Sequence, residues 1–309
     1  MLVVKYDEVE WTRNNGLRGG TPTGAPGQSK GSSLHRRLIR GTPDAPGNFE
    51  MIILWSQQSD EGSNRTFPRH RHTFDQVRLS LEGSPEWSPG VPTPPGSISY
   101  VPAGTWYGPY ERYAGHAQLH IQFEGANRFP FTDYGTLIKA RDEMAQKGRF
   151  VDGMYEWTDE NGVAQRKDGF IAGQEYATGL KSEFPEPRYS TPMVLNPENF
   201  TWLDVAPGVR TKELGRFSER ETRLAYVRLD GDTEYEIEAP GQTTLLFVWQ
   251  GEGKADGIDI GPRDAMRLTP NDRGVLSTTT SLEVLVLGLP KQDADATAVP
   301  AKAAATADA

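Results

Sequence analysis

The chain is read outward from FPRHRHTFDQVRLSLEG (residues 67–83), a proline-rich turn, and PGSISYVPAGTWYG (residues 95–108). His70 and His72 lie two residues apart, and on a β-strand residues i and i+2 point to the same face. Both imidazoles are therefore expected to face one way, which lets one strand offer two nitrogen ligands to a single ion. Gln76, Arg78, Ser80 and Glu82 share their parity, while Val77, Leu79 and Leu81 take the other face. Gly83 ends the strand and Ser84-Pro85 breaks it.

The 309 residues carry 33 Lys and Arg against 42 Asp and Glu, a formal net charge of −9 that argues against a general nucleic-acid or anionic-membrane binder. With no cysteine, disulfides, thiolate zinc sites and cysteine nucleophiles are excluded. Any metal must use His, carboxylate, amide or phenol ligands. The 33 Gly and 23 Pro, set between β-branched and aromatic runs, favour many short strands joined by turns. The start, MLVVKYDEVEW, lacks a basic segment followed by an apolar run, and no apolar stretch is long enough to span a bilayer. A cytoplasmic location is the default expectation.

Residues 2–11 read as a first strand, and residues 14–33, rich in Gly, Pro, Thr and Ser, as a flexible loop. Further strands are expected over 34–39 and 49–57, and over AQLHIQF (117–123). In AQLHIQF, Leu119, Ile121 and Phe123 oppose Gln118, His120 and Gln122. Thr132 or Asp133 is placed to cap a helix through Leu137, Ala140, Met144 and Ala145, with Gly148 as its stop. Residues 150–187 read as irregular. Strand signals resume near Phe200, and the Ala-, Asp- and Thr-rich residues 291–309 read as a disordered tail.

His70-x-His72, three residues, Gln76, six residues and Gly83 form one spaced motif. Gly96, five residues, Pro102-x-Gly104, two residues and Tyr107 form a second. Together they resemble the two motifs of the cupin superfamily, with Gln76 in place of the usual Glu and Tyr107 in place of the usual His. The resemblance implies an all-β fold of two double-stranded β-helix (jelly-roll) barrels joined by a short helical connector. An internal repeat accompanies it: Gly83 and Pro102 recur 168 residues later as Gly251 and Pro270. This gives an N-terminal barrel over 1–125, a connector with one helix over 126–195, and a second barrel over 196–290. In the second barrel the ligand positions become Glu238, Pro240, Thr244 and Val275, so an ion is expected only in the first.

The candidate metal ligands are His70, His72 and Gln76, with His120 as an alternative third nitrogen. Imidazole donors suit divalent first-row ions such as iron, manganese, nickel, copper or zinc, and the resemblance implies iron first. Tyr107 is a candidate catalytic residue, as a phenolate ligand or as a general acid beside the ion. A polar inward face implies a ligand, water or metal within. Arg78 is placed to orient a carboxylate or enolate, or else to form an internal salt bridge with an acidic residue. Phe74, Trp87, Trp106 and Tyr110 either line a mouth suited to a flat or aromatic substrate or pack as core. His116 is expected to be exposed, and His35 has no assigned role.

For a soluble two-barrel chain with one site, the resemblance most often implies a metal-dependent dioxygenase acting on a small organic molecule. Isomerase and decarboxylase activities are further possibilities. It also implies a homodimer. The alternative is a non-catalytic barrel that binds a small molecule or serves dimerisation.

Overall fold

The computed structural model describes residues 1–14, 33–43, 45–56, 65–67, 69–112, 115–151 and 153–292. The loop expected at 14–33 and the tail expected at 291–309 fall almost wholly outside them. In chain order, the first strands are β1 (Leu2–Val4), β2 (Thr12–Asn14), β3 (Ser33–Arg40), β4 (Phe49–Ser56), β5 (Arg65–Phe67), β6 (Asp75–Glu82), β7 (Ile98–Val101), β8 (Tyr110–Arg112) and β9 (His116–Phe123). Then follow α1 (Tyr134–Met144), β10 (Gly148–Val151), β11 (Met154–Thr158), β12 (Ala164–Asp168), α2 (Gly169–Thr178) and β13 (Met193–Leu195). The rest is β14 (Leu203–Ala206), β15 (Val209–Phe217), β16 (Thr222–Asp230), β17 (Thr233–Glu238), β18 (Thr244–Gly251), β19 (Gly253–Ala255), β20 (Ile258–Ile260), β21 (Ala265–Leu268), β22 (Arg273–Thr278) and β23 (Ser281–Gly288). No helix among the described residues is long and apolar enough to cross a membrane.

The chain forms two units. One draws on Trp11–Arg36 and Arg40–Val194, the other on Met1–Glu10, Arg37–Ile39 and Leu195–Ala296. Each is built on a seven-stranded sheet, with order β13-β7-β6-β9-β4-β3-β2 in the first and β1-β21-β18-β23-β16-β15-β14 in the second. Six successive strands correspond one to one. The 168-residue offset recurs in the irregularities: β6 slips against β9 between Ser80 and Glu82, and β18 slips against β23 between Val248 and Gln250. The two aligned glycines both sit in the left-handed region, with φ of 72° at Gly83 and 82° at Gly251.

In the second unit the four-stranded sheet β17-β22-β19-β20 completes a jelly roll around Val227, Leu246, Val284, Ile237 and Leu276. The two-barrel, all-β architecture expected from the motifs is the fold of the chain. The first strand departs from expectation, because β1 pairs antiparallel with β21 in the second unit, Leu2 opposite Arg267 and Val4 opposite Ala265. The Tyr6 N–H donates to Asp264 Oδ1 (2.7 Å), and Lys5 pairs with the same carboxylate. Alternation marks a segment as a strand but carries no information about which edge it joins.

The stretch expected to be irregular over 150–187 is so only after α2, over 179–187. β10, β11 and β12 form an antiparallel meander, and α2 follows it directly. Met144, Tyr155 and Ala172 make a small core there, with Phe150, Trp157 and Tyr176 packed against it. Asp133 caps α1 by accepting from Gly135 N and Thr136 N (2.8 and 3.2 Å). Asp168 caps α2 in the same way from Phe170 N and Ile171 N (both 3.0 Å), and Gly179 at φ 70° ends it.

Candidate functional site

β6 is an inner strand of the first sheet, between β7 and β9. Register puts Val77 and Leu79 opposite Tyr100 and Ile98 on one side, and opposite Ile121 and Leu119 on the other. Residues directly opposite each other share a face, so these side chains form one apolar, buried face. The other face carries Gln76, Arg78 and Ser80, opposite Gln122, His120 and Gln118 on β9. Every residue from Asp75 to Leu81 is buried.

The histidine pair lies before this strand. His70 forms an isolated antiparallel bridge with Tyr107, its N–H donating to Tyr107 O and accepting the Tyr107 N–H in return at its own carbonyl (both 3.0 Å). His72 O accepts from Gly104 N (2.9 Å). The two motifs are thus stitched together by backbone outside the sheet. Gly104 has φ 80°, and a Cβ there would stand 2.2 Å from Pro185 O, so only glycine fits the turn. Asp75 braces the same turn by accepting from Tyr100 Oη (2.6 Å) and Ala103 N (2.8 Å). Burial first, and the Asp75 carboxylate second, push the Tyr100 phenol well above its ordinary pKa, so it remains a donor.

Tyr107, 1 % exposed, brings the cluster together. Its Oη lies 2.8 Å from His72 Nε2 and receives N–H donors from Gln76 Nε2 (3.1 Å) and Arg78 Nη2 (2.9 Å). Two donors fill both lone pairs, so the phenolic hydrogen points to His72 Nε2 and the proton of a neutral His72 sits on Nδ1. Gln76 Oε1 accepts from Arg78 Nε (3.1 Å), Arg78 Nη2 (2.7 Å) and, more distantly, Gln122 Nε2 (3.4 Å).

Arg78 is 4 % exposed and lies over Trp87, its Cζ 3.9 Å from the ring centroid. No carboxylate among the described residues lies within ion-pair distance, so the expected alternative of an internal salt bridge is not realised there. Its Nη1 has no hydrogen-bond partner among those residues. Gln118 Nε2, on the same face one register step along β9, likewise has none. Gln118 was missed as a candidate, although its parity with His120 was the available signal.

His70 and His72 bring their rings to 5.2 Å at 84°, and the His70 ring lies 4.2 Å from that of Tyr107. His120 shares the polar face opposite Arg78, and its Nε2 is hydrogen-bonded to Gln118 Oε1 (3.0 Å). No three His, Asp or Glu side chains converge among the described residues to hold an ion. The expected third and fourth donors, Gln76 Oε1 and Tyr107 Oη, both receive hydrogen bonds from a guanidinium cation. As arranged, this donor set does not fit a divalent ion.

Of the expected mouth aromatics, Trp87 and Tyr110 pack with Val101 and Tyr107 in one buried cluster, and Phe74 stacks on His72 (4.5 Å, 25°). Trp106 is 37 % exposed between Arg69 and Arg71. α2 lies over the cluster. Phe170 meets His72 edge-on (5.4 Å), and Gln174 Nε2 donates to Thr73 Oγ1 (2.7 Å). His116 is buried, not exposed, because its ring packs where a Cβ on Gly83 would lie (2.2 Å). His35 is buried edge-on to Tyr134. In the second unit, Glu238, Pro240 and Thr244 line a cavity of about 100 Å³ with Arg216, Gln242 and Lys291. Val275 lies instead on β22, opposite Glu236.

No protein-family model matches the chain, and no curated protein matches it by sequence. Solved structures do match. A candidate dioxygenase from Nostoc punctiforme is 12 % identical, covering 98 % of this chain and 86 % of its own, with a TM-score of 0.57. The oxalate decarboxylase of Bacillus subtilis, a protein with Mn(II) centres, is 10 % identical, covering 95 % and 78 %, with a TM-score of 0.50. At these identities the likeness is one of fold.

Proposed function

We propose that the first barrel of this two-barrel, cupin-fold protein binds a small organic anion on Arg78. One observation carries the reading: a buried guanidinium with no carboxylate partner among the described residues and one terminal nitrogen left over. An unpaired buried charge costs several kcal/mol, on the order of 3–5, so the fold gains by supplying it with a counter-ion. A carboxylate suits the remaining guanidinium nitrogen, Arg78 Nη1, and Gln118 Nε2 on the same face is a second donor without a partner among the described residues.

The test is a titration with acetate, pyruvate and benzoate followed by NMR of the arginine Nε–H and histidine side chains. Saturable binding of at least one of them, lost in Arg78→Gln, is the expected result. Absence of binding by all three at millimolar concentration would overturn it.

The competing reading is the metal-dependent dioxygenase that the motifs imply, with an ion on His70 and His72. The 5.2 Å approach of those two rings favours it. Metal analysis of protein purified without added metal or chelator separates the two readings. Near-stoichiometric iron or manganese selects the dioxygenase. The anion reading needs one chain only, so the homodimer implied by the motifs is a separate question for sedimentation.

A further inference from the structure

We infer that Arg78 is a built-in cation that stands in the place of an ion and decides that the barrel takes an organic anion. The guanidinium binds the two oxygens that the motif spacing sets beside the histidines. Nη2 alone reaches both Gln76 Oε1 (2.7 Å) and Tyr107 Oη (2.9 Å), and Nε makes a second contact to Gln76 (3.1 Å). A metal would be expected to draw lone pairs from these same two atoms. A divalent ion there would meet a fixed positive charge one hydrogen bond away, in a buried setting where screening is weak.

The substitution extends to the residue types. A carboxylate at position 76 would neutralise a divalent ion, whereas the neutral amide of Gln76 accepts from Arg78 and donates to Tyr107 with the same side chain. The phenol of Tyr107 accepts from Arg78 and Gln76 while it meets His72 Nε2. Gln76, Arg78 and Tyr107 therefore form one interlocking set. Trp87 holds the guanidinium carbon 3.9 Å from its ring centroid. Nη1 is the terminal nitrogen left without a hydrogen-bond partner among the described residues, and the ligand's carboxylate is placed there. The inference rests on Arg78 being the ligand-binding residue, but its test reads metal, so the two can fail separately.

Removing the cation should uncover a metal site. Full-length wild type, Arg78→Ala, Arg78→Met and Arg78→Ala/His72→Ala are stripped with chelator, then dialysed against cobalt(II) alone. Cobalt per chain is measured by elemental analysis and its ligand-field spectrum, with circular dichroism as the check on folding. Wild type is expected to hold no stoichiometric cobalt. Arg78→Ala is expected to hold one ion per chain, with affinity raised on the order of a hundredfold, and the His72 double variant to lose it. Arg78→Met keeps an unbranched stem against Trp87 but has no N–H donor, so it should also gain the ion if the alanine variant fails to fold. One cobalt per chain in wild type overturns the inference. Folded Arg78 variants that take no more cobalt than wild type do so as well.

Discussion

At the scale of single residues, the phenolic oxygen of Tyr107 is the point on which the cluster converges. Tyr107→Phe keeps the ring against Trp87 and Tyr110 but leaves N–H groups of Gln76 and Arg78 buried without this acceptor. Each such group costs about 1–3 kcal/mol, so an overall loss of about 2–4 kcal/mol is expected in urea unfolding. A change below roughly 0.5 kcal/mol would mean that the oxygen is not a structural acceptor. Arg78→Lys should behave unlike a conservative change. An ammonium is a compact point charge without the planar fork that joins Gln76 Oε1 to Tyr107 Oη, and it stacks less well on Trp87. Carboxylate affinity in the lysine variant is expected to fall by about tenfold or more, read by the same NMR titration.

At the scale of elements, the turn after β6 and the helix over the cluster each carry a prediction. Gly83 and Gly90 have similar left-handed φ values, 72° and 78°, but differ in surroundings. A Cβ on Gly83 would meet the His116 ring at 2.2 Å, whereas one on Gly90 would meet nothing within 4 Å. Gly90→Ala should cost only the backbone strain, about 1 kcal/mol, while Gly83→Ala should cost clearly more because His116 must also move. Equal losses in thermal unfolding would remove the role assigned to the ring. α2 holds Phe170 against His72 through its first turn, which Asp168 caps. Asp168→Ala is expected to cost about 1 kcal/mol and to speed amide exchange through α2. Unchanged protection of those amides would show that the cap does not hold the helix in place.

At the scale of the molecule, each seven-stranded sheet is finished by a strand that is remote in sequence: β13 for the first and β1 for the second. The second barrel therefore depends on the first residues of the chain. Asp264, 4 % exposed, holds that segment by accepting from Tyr6 N and pairing with Lys5, and it also accepts from Gly261 N (2.9 Å). Asp264→Ala should destabilise by about 2–4 kcal/mol, since several donors lose one buried acceptor. Deleting residues 1–10 should go further, exposing the edge of β21 and the apolar side chains beneath it. Both are checked by differential scanning calorimetry, and a transition temperature unchanged by the deletion would contradict the structural role of β1.

The two-barrel architecture was legible in residue type and spacing. Motif spacing placed Gly83, Gly104 and Tyr107 where the backbone needs them, and the 168-residue offset carried through to the slips in β6 and β18. These are local requirements, a left-handed turn or an alternating face, and local requirements are written in residue type and spacing. Parity likewise grouped Gln76 with Arg78 on β6 and Gln118 with His120 on β9, and the register joined the two pairs on one face. The meander of β10 to β12 escaped because strands of four or five residues give too few alternations to read. α2 escaped although Asp168 and Gly179 mark both its ends. Only the tertiary structure decided which edge β1 completes, that α2 lies over His72, and that Arg78 meets Gln76 and Tyr107 with no acid beside it among the described residues. Those outcomes depend on side chains from separate strands arriving at one point, and neither the sign of a charge nor its position in the chain states which partner it will find once buried.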